Sequence, residues 1–236
     1  MVVMLPAKEY AFYVCPTCKR SLEFQPQALC CAACSRSYPL ADGIPDFLAP
    51  VMDQITDPLV QRMDRADGGS LKCMSGLYEG RFWYPLVIRM YLGKDTTSLT
   101  DLIQRIKTAV NVEQGRVLDA ACGPATFSRR IASPARSVFG IDLSMAMLRK
   151  GAEYVQREGG SNIHLARSRV ESLPFPEAFF DFAICSGALH LFPDPVVALK
   201  EIGRTLKPGA RLVGLTFTRG LQFLGSGLFF TAEKRE

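Results

Sequence analysis

The sequence predicts an α/β fold, a doubly wound and mostly parallel sheet, with a small cysteine-rich module ahead of it. Three features point to it. From residue 98 onward, short apolar runs of strand type alternate with helical repeats. Two of the strand-like runs end in carboxylates, Asp119 and Asp142, each followed by a turn of small or capping residues. Five of the eight cysteines fall between residues 15 and 34. The expected organisation is a metal-binding ribbon over 1–50, a linker or lid over 51–97, and the α/β domain over 98–236.

The elements follow in order. Leu99, Leu102, Ile103, Ile106 and Val110 recur at helical spacing. Arg116–Ala120 reads as a strand and Pro124–Ala132 as a helix. Ser137–Ile141 is the next strand, and Ser144 caps a helix running to about Glu158. Strands follow at Ile163–Ala166 and Phe180–Cys185. Asp194-Pro195 opens a further helix, with proline in its first turn. Lys207-Pro208-Gly209-Ala210 stops that helix, and Arg211–Phe217 is read as the last strand. About nineteen residues then remain, including the apolar stretches Leu221–Leu224 and Leu228–Phe230. They leave room for one short element, which is expected to dock on the edge of the last strand or to leave that edge to a partner or a second copy.

Composition fits an ordinary globular protein, with 48% hydrophobic and 22% charged residues. No window offers the roughly 18 uncharged apolar residues of a membrane span. The opening MVVMLPAKEY has neither the basic start nor the long apolar run of a signal peptide. A cytoplasmic protein with reduced thiols is therefore expected. The net charge of +5 lies wholly in residues 116–236, with sixteen basic against eleven acidic side chains; residues 1–50 carry four of each. A neutral N-terminal module argues against a nucleic-acid substrate, whose binders concentrate positive charge at the contact.

The chemistry centres on Val117-Leu118-Asp119-Ala120-Ala121-Cys122-Gly123-Pro124-Ala125. A strand ends in a carboxylate and a tight turn leads into a helix, at the sheet edge where open α/β folds bind ligands. Asp142 follows Gly123 by nineteen residues, at the end of the next strand. That spacing suits a carboxylate accepting from both hydroxyls of a ribose. A dinucleotide site would want three glycines around its pyrophosphate. Here Pro124 stands in the loop without an N–H to donate. The loop suits a ligand lacking phosphate and bearing a cationic amino-acid end that Asp119 attracts.

Asp119-x-x-Cys122-Gly123, followed by Gly140-Ile141-Asp142-Leu143-Ser144-x-x-Met147-Leu148, resembles the first two motifs of class I S-adenosylmethionine methyltransferases. Leu173-Pro174-Phe175, Phe179-Phe180-Asp181, Ala188-Leu189-His190 and Leu206-Lys207-Pro208-Gly209 resemble the ubiquinone/menaquinone-methyltransferase-like branch. The resemblance spans about 98 to 217 in unbroken order. It implies a Rossmann-like methyltransferase domain binding S-adenosyl-L-methionine. Asp119 would lie near the methionine end, and Ala121 and Gly123 in the loop that closes on it. Asp142 would hold the ribose, with Leu143 and Met147 beside the adenine. Ser186 and Gly187 would line the cleft at the transferred methyl. The chain departs from the family where Ala121 and Ala125 replace commoner glycines, and where Arg169 replaces an acid that accepts from the adenine amino group. Backbone groups at Val170 are then expected to read the adenine.

Cys15-Pro16-Thr17-Cys18 is followed after twelve residues by Cys31-Ala32-Ala33-Cys34. Two CxxC knuckles at that spacing set four thiolates around a structural Zn2+ with no open position. Cys30 is an alternative ligand, but Cys31 preserves the two-residue knuckle. The run from Leu29 to Pro45 resembles small zinc-ribbon proteins that accompany methyltransferases, and the ribbon fused to some ribosomal-RNA guanine methyltransferases. Cys73, Cys122 and Cys185 read as small apolar residues.

Methyl transfer from a sulfonium is a direct displacement, so positioning supplies much of the rate. His190, in the loop after the Phe180–Cys185 strand, is the candidate general base where the acceptor must lose a proton. His164, inside a strand, has no assigned role. Tyr78, Phe82, Trp83 and Tyr84 are read as core packing, with a lid over an apolar acceptor as the alternative. The expected protein is a methyltransferase of a small, apolar, ring-type acceptor. The alternatives are a ribosomal-RNA base methyltransferase and a non-catalytic scaffold that uses its ribbon to hold a partner.

Overall fold

The computed structural model describes residues 10–50, 58, 61, 99–110, 114–160, 162–217 and 227–235. Most of the expected linker, with its aromatic cluster at 78–84, lies outside them, as do Cys73 and Leu221–Leu224. Among the described residues, no helix is long and apolar enough to cross a membrane.

The first sheet is antiparallel and contains β1 (Glu23–Gln25), β2 (Ala28–Cys31), β3 (Arg36–Ala41) and β4 (Ile44–Pro45), in that order. Leu29 pairs with Tyr38, and both are buried with Cys31 on the inner side. Asp42 and Gly43 form the two-residue turn between β3 and β4, at φ of 54° and 82°. That left-handed pair matches the strand twist and favours Asp-Gly. Lys19 and Ser35, each directly after the second cysteine of a knuckle, also lie at positive φ, 57° and 54°.

The second sheet has six strands. Helix α1 (Leu99–Val110) precedes β5 (Gly115–Ala120). Then come α2 (Ser128–Ile131), β6 (Arg136–Asp142), α3 (Met145–Glu158), β7 (Ile163–Arg167), β8 (Phe180–Ser186), α4 (Pro195–Thr205), β9 (Leu206–Phe217) and β10 (Gly227–Glu233). The spatial order is β10-β9-β8-β5-β6-β7. Strands β5 to β9 are parallel and β10 is antiparallel. The chain winds outward from β5 to β7, then returns to the other side of β5 with β8 and β9. The switch point of the fold therefore lies between β5 and β8, and its carboxyl edge carries Ala121, Asp142 and Ser186.

Alternation along the strands sends side chains to two cores. Val117, Val138, Phe182, Ile184 and Val213 pack against α1 and α2. Leu118, Phe139, Ile141, Ala183 and Leu212 face the other way, toward Ala198 and Ile202 of α4. That second core also takes in Tyr10, Tyr13, Leu29, Tyr38 and Phe47, so the cysteine-rich module shares the main core. Phe12 meets the Phe139 ring edge-on at 5.3 Å, and His164 stacks on Phe139 at 4.6 Å.

Caps expected from local chemistry are present. Ser144 accepts from the Met147 amide, and α3 ends at Gly159 with φ 71°. Asp194 accepts from the amides of Val196 and Val197. Two readings are corrected. The helix expected over Pro124–Ala132 is only Ser128–Ile131, because Ala125 adopts φ 59° and residues 124–127 are turns. Helix α4 stops at Thr205, and β9 begins at Leu206, with a register irregularity opposite Phe180 and Phe182. The one short element expected at the C-terminal end is β10, and it docks on the edge of β9 from Gly227↔Phe217 to Glu233↔Arg211.

Candidate functional site

The loop after β5 is shaped by three left-handed residues at alternate positions: Ala121 (φ 63°), Gly123 (φ 54°) and Ala125 (φ 59°). Within it the Cys122 amide donates to Ile141 O and the Ala125 amide to Cys122 O, each at 3.0 Å. The Asp142 carboxylate, 8% exposed, accepts from the Gly123 amide at 2.8 Å and from the Ser144 amide at 2.8 Å. It thereby fixes the β5 loop to the start of α3. Gly140 leaves room for this arrangement, since a Cβ there would lie 2.8 Å from Cys122 Sγ.

Asp119 is oriented differently. It is 1% exposed, and its Oδ2 accepts from the Ser128 amide at 3.1 Å and the Ser128 hydroxyl at 2.6 Å. Burial pushes its carboxyl up to about 6, against the Ser128 hydrogen bonds, with the Asp142 charge adding to the rise. Asp119 thus holds the first turn of α2 from behind the loop.

A cleft at the carboxyl edge is lined by Ala121, Asp142, Leu143 and Val170 from the sequence-predicted set. Ser168, Glu171, Ala188, Leu191, Phe192 and Pro193 complete it, together with Arg169. Of these, Ala188 belongs to the Ala188-Leu189-His190 stretch, whereas Ser168, Glu171, Leu191, Phe192 and Pro193 were not singled out from sequence. The rule that ligands sit beyond strand carboxyl ends would have flagged both the turn after β7 and the turn after β8. The Arg169 guanidinium reaches both oxygens of Glu171 at 3.4 Å, so a carboxylate does stand in this turn, two residues beyond the position that Arg169 takes from the family's acid. The cleft holds about 60 Å³. That is below the roughly 300–1,000 Å³ of small-molecule pockets.

Met147, on α3, is buried and does not line this cleft; nor do Asp119, Gly123, Ser186, Gly187 and His190. Ser186 ends β8, and Gly187 follows at φ 77° with its amide on Leu215 O at 2.7 Å. His190 lies in the 3-10 turn 189–191, with Nδ1 3.5 Å from Thr216 Oγ1. Burial lowers its pKa, which favours the neutral, proton-accepting imidazole. Burial also pushes the Cys122 thiol up and Cys185 up to about 12, so neither is a nucleophile.

The four knuckle cysteines converge. Cys15, Cys18, Cys31 and Cys34 bring their sulfurs within 4.8 Å of one another. The Cys15–Cys34 and Cys18–Cys31 separations are 3.6 and 3.4 Å. A tetrahedron with Zn–S bonds of about 2.3 Å has edges of about 3.8 Å, so the cluster is compatible with zinc. Cys30 stands apart, its thiol directed to Ser37 Oγ at 3.5 Å. The Tyr38 hydroxyl lies 3.1 Å from Cys15 Sγ and orients it from outside the tetrahedron. Burial opposes ionisation of Cys15, but hydrogen bonds from Tyr38, the Cys18 and Thr17 amides and Cys34 bring its pKa down to about 6.

Fold and loop together resemble the α/β domain of class I S-adenosylmethionine-dependent methyltransferases. Residues 117–209 match the methyltransferase domain family. A demethylmenaquinone methyltransferase of Anoxybacillus flavithermus is 36% identical over 110 residues, covering 45% of this chain and 46% of that protein. An uncharacterized chloroplastic methyltransferase of Arabidopsis thaliana is 36% identical over 113 residues, covering 45% of this chain and 32% of that one. The chain thus spans less than half the length of these curated relatives. Among solved structures, an S-adenosylmethionine-dependent methyltransferase of Methanococcus maripaludis, so described provisionally, shares the fold. It has a TM-score of 0.53 at 17% identity, over 68% of this chain and 67% of that one.

Proposed function

We propose that this protein transfers the methyl group of S-adenosylmethionine to a small, apolar, ring-type acceptor. The observation that carries the reading is Asp142: a carboxylate at the end of β6, holding the Gly123 loop and lining the cleft. In this reading Asp142 accepts from the ribose hydroxyls, while Leu143 and the backbone at Val170 flank the adenine. Asp119, through Ser128, keeps the loop in the shape that receives the methionine end. Ser186 and Gly187 lie toward the transferred methyl. The relatives named for demethylmenaquinone support an apolar acceptor, as do Ala188, Leu191, Phe192 and Pro193 on the far wall. His190 accepts a proton where the acceptor releases one. The four-cysteine ribbon holds one Zn2+ as a structural element, since four thiolates fill its coordination.

The test is a calorimetric titration of S-adenosylmethionine into the zinc-loaded chain. Methyl transfer is then measured to a short-chain demethylated naphthoquinone and, separately, to deproteinised ribosomal RNA. Saturable cofactor binding with transfer to the quinone is expected. Transfer to RNA alone would favour a ribosomal-RNA enzyme, and absence of cofactor binding would leave the non-catalytic scaffold.

A further inference from the structure

Residues 167–174 are shared by the two sites. On one side they meet the metal-binding module. Ser172 donates its hydroxyl to the carbonyl of Pro16, inside the first knuckle, at 3.1 Å. The Val14 amide, one residue before Cys15, donates to Pro174 O at 2.9 Å. Lys19, one residue after Cys18, donates to Leu173 O at 3.0 Å and pairs with Glu201 at 2.8 Å; Glu201 in turn accepts from the Leu173 amide. At the other end, the Phe47 amide donates to Arg167 O at 2.9 Å. The Arg167 guanidinium pairs with Asp46 at 3.1 Å, and both residues are buried.

On the other side, the same segment makes the cleft. Ser168, Arg169, Val170 and Glu171 line it, in the stretch between the two sets of ribbon contacts. The Ser168 amide donates to Asp142 O at 3.1 Å. Arg167 Nε donates to Leu143 O at 2.8 Å, next to Asp142. The residues that flank the thiolates therefore hold the backbone on which one wall of the cleft is built.

From this geometry we propose that zinc occupancy of the Cys15/Cys18/Cys31/Cys34 cluster and S-adenosylmethionine occupancy of the cleft are positively coupled through residues 167–174. The proposal rests on the cofactor reading given above. Its physical basis is direct. Zinc fixes the knuckle at residues 15–18, and the fixed knuckle presents the Val14 amide and Pro16 carbonyl at the positions that hold 172–174. Without the metal, four thiols within 4.8 Å have no common partner, and the knuckle gives up part of that geometry. The cofactor then meets a wall it must order itself, and affinity falls by the cost of that ordering. Ser172, Lys19 and Arg167 are positioning residues in this scheme, because they act on the cleft through the backbone. Linkage requires reciprocity: the cofactor raises zinc affinity by the factor by which zinc raises cofactor affinity.

The experiment uses the full chain, zinc-loaded or stripped by a chelator, and titrates S-adenosylmethionine calorimetrically into each. Zinc affinity is measured separately by competition with a colorimetric chelator, with and without saturating cofactor. The expected result is about tenfold weaker cofactor binding without zinc, inside the roughly 5–150-fold range of allosteric couplings. The zinc competition should shift by the same factor. The double variant Ser172→Ala/Lys19→Met leaves the thiolates and the cleft side chains in place. It should still bind zinc and cofactor, with the coupling reduced below about twofold; a merely structural role would lower stability and leave the coupling factor intact. Equal cofactor affinity in both metal states overturns the coupling and leaves the cofactor reading standing. Loss of binding even in the zinc-loaded chain sinks the cofactor reading and this proposal with it. Should the stripped chain unfold, the zinc competition on loaded protein decides: no shift with cofactor rejects the coupling.

Discussion

The Asp142 carboxylate accepts the Gly123 amide through Oδ2 and the Ser144 amide through Oδ1, each at 2.8 Å. One side chain thus ties together the loop after β5 and the cap of α3. The same carboxylate lines the cleft.

Asp142→Ala removes the proposed ribose acceptor and the clamp on the loop together. Hydrogen bonds to a charged group contribute about 1.5–3 kcal/mol each. Cofactor affinity should fall by at least that much, roughly ten- to hundredfold, in a calorimetric titration of the variant. Unchanged affinity would remove Asp142 from the site.

The left-handed loop makes an opposed pair of predictions. Ala121 sits at φ 63° without the freedom of glycine, a strain of about 1–2 kcal/mol. Ala121→Gly relieves it, offset by about 0.5–1 kcal/mol of backbone entropy, for a net gain of up to about 1 kcal/mol in urea unfolding. Gly123→Ala should cost about 1–2 kcal/mol through the backbone alone, because a Cβ there meets nothing within 4 Å. Destabilisation by Ala121→Gly would contradict the loop conformation.

What the sequence made legible was local. Ser144 and Asp194 announce their helices because a capping side chain acts within three residues. The knuckle spacing identifies the four clustered thiols for the same reason. The turn at 124–127 escaped because alanine side chains carry no mark of a left-handed backbone. The Asp46–Arg167 pair joins residues 121 apart, and only the folded chain brings them together. Glu171 escaped because the family's acid falls at the position of Arg169, whereas the 3-10 turn at Val170–Ser172 sets both beside the cleft.

Asp119 predicts a pH dependence of stability. Its carboxyl is raised from 3.8 to about 6 by burial, so its folded pKa lies above its unfolded one. The protonated form is therefore favoured by folding. That contribution is fully present below about pH 4 and is lost as pH rises through about 6. Two units correspond to about 3 kcal/mol. Relative to Asp119→Asn, which does not titrate, the native chain should gain stability by up to that amount as pH falls from 7 to 4. Parallel stability–pH curves for the two proteins would refute the shift.

Phe230 predicts how the sheet edge is kept closed. It stands opposite Gly214 in the β9–β10 register, and a Cβ on Gly214 would lie 2.2 Å from Phe230 Cζ. The ring thus covers the bare backbone of Gly214, and that contact pins β10 to β9. Phe230 is half-buried. Phe230→Ala should then cost about 1–2 kcal/mol, part of the 1.5–3 kcal/mol of a fully buried large side chain. The loss should appear first as local opening, with faster amide exchange along β9 and β10 than in β5 or β6. Once β10 opens, β9 presents unpaired backbone groups, and the variant should sediment as larger species at concentrations where the native chain does not. Gly214→Ala should open the same edge by pushing the ring away, and combining it with Phe230→Ala should restore part of the loss, since the methyl then fills space the ring has left. If Phe230→Ala changes neither exchange nor association, the pairing of β10 is held by its backbone ladder alone.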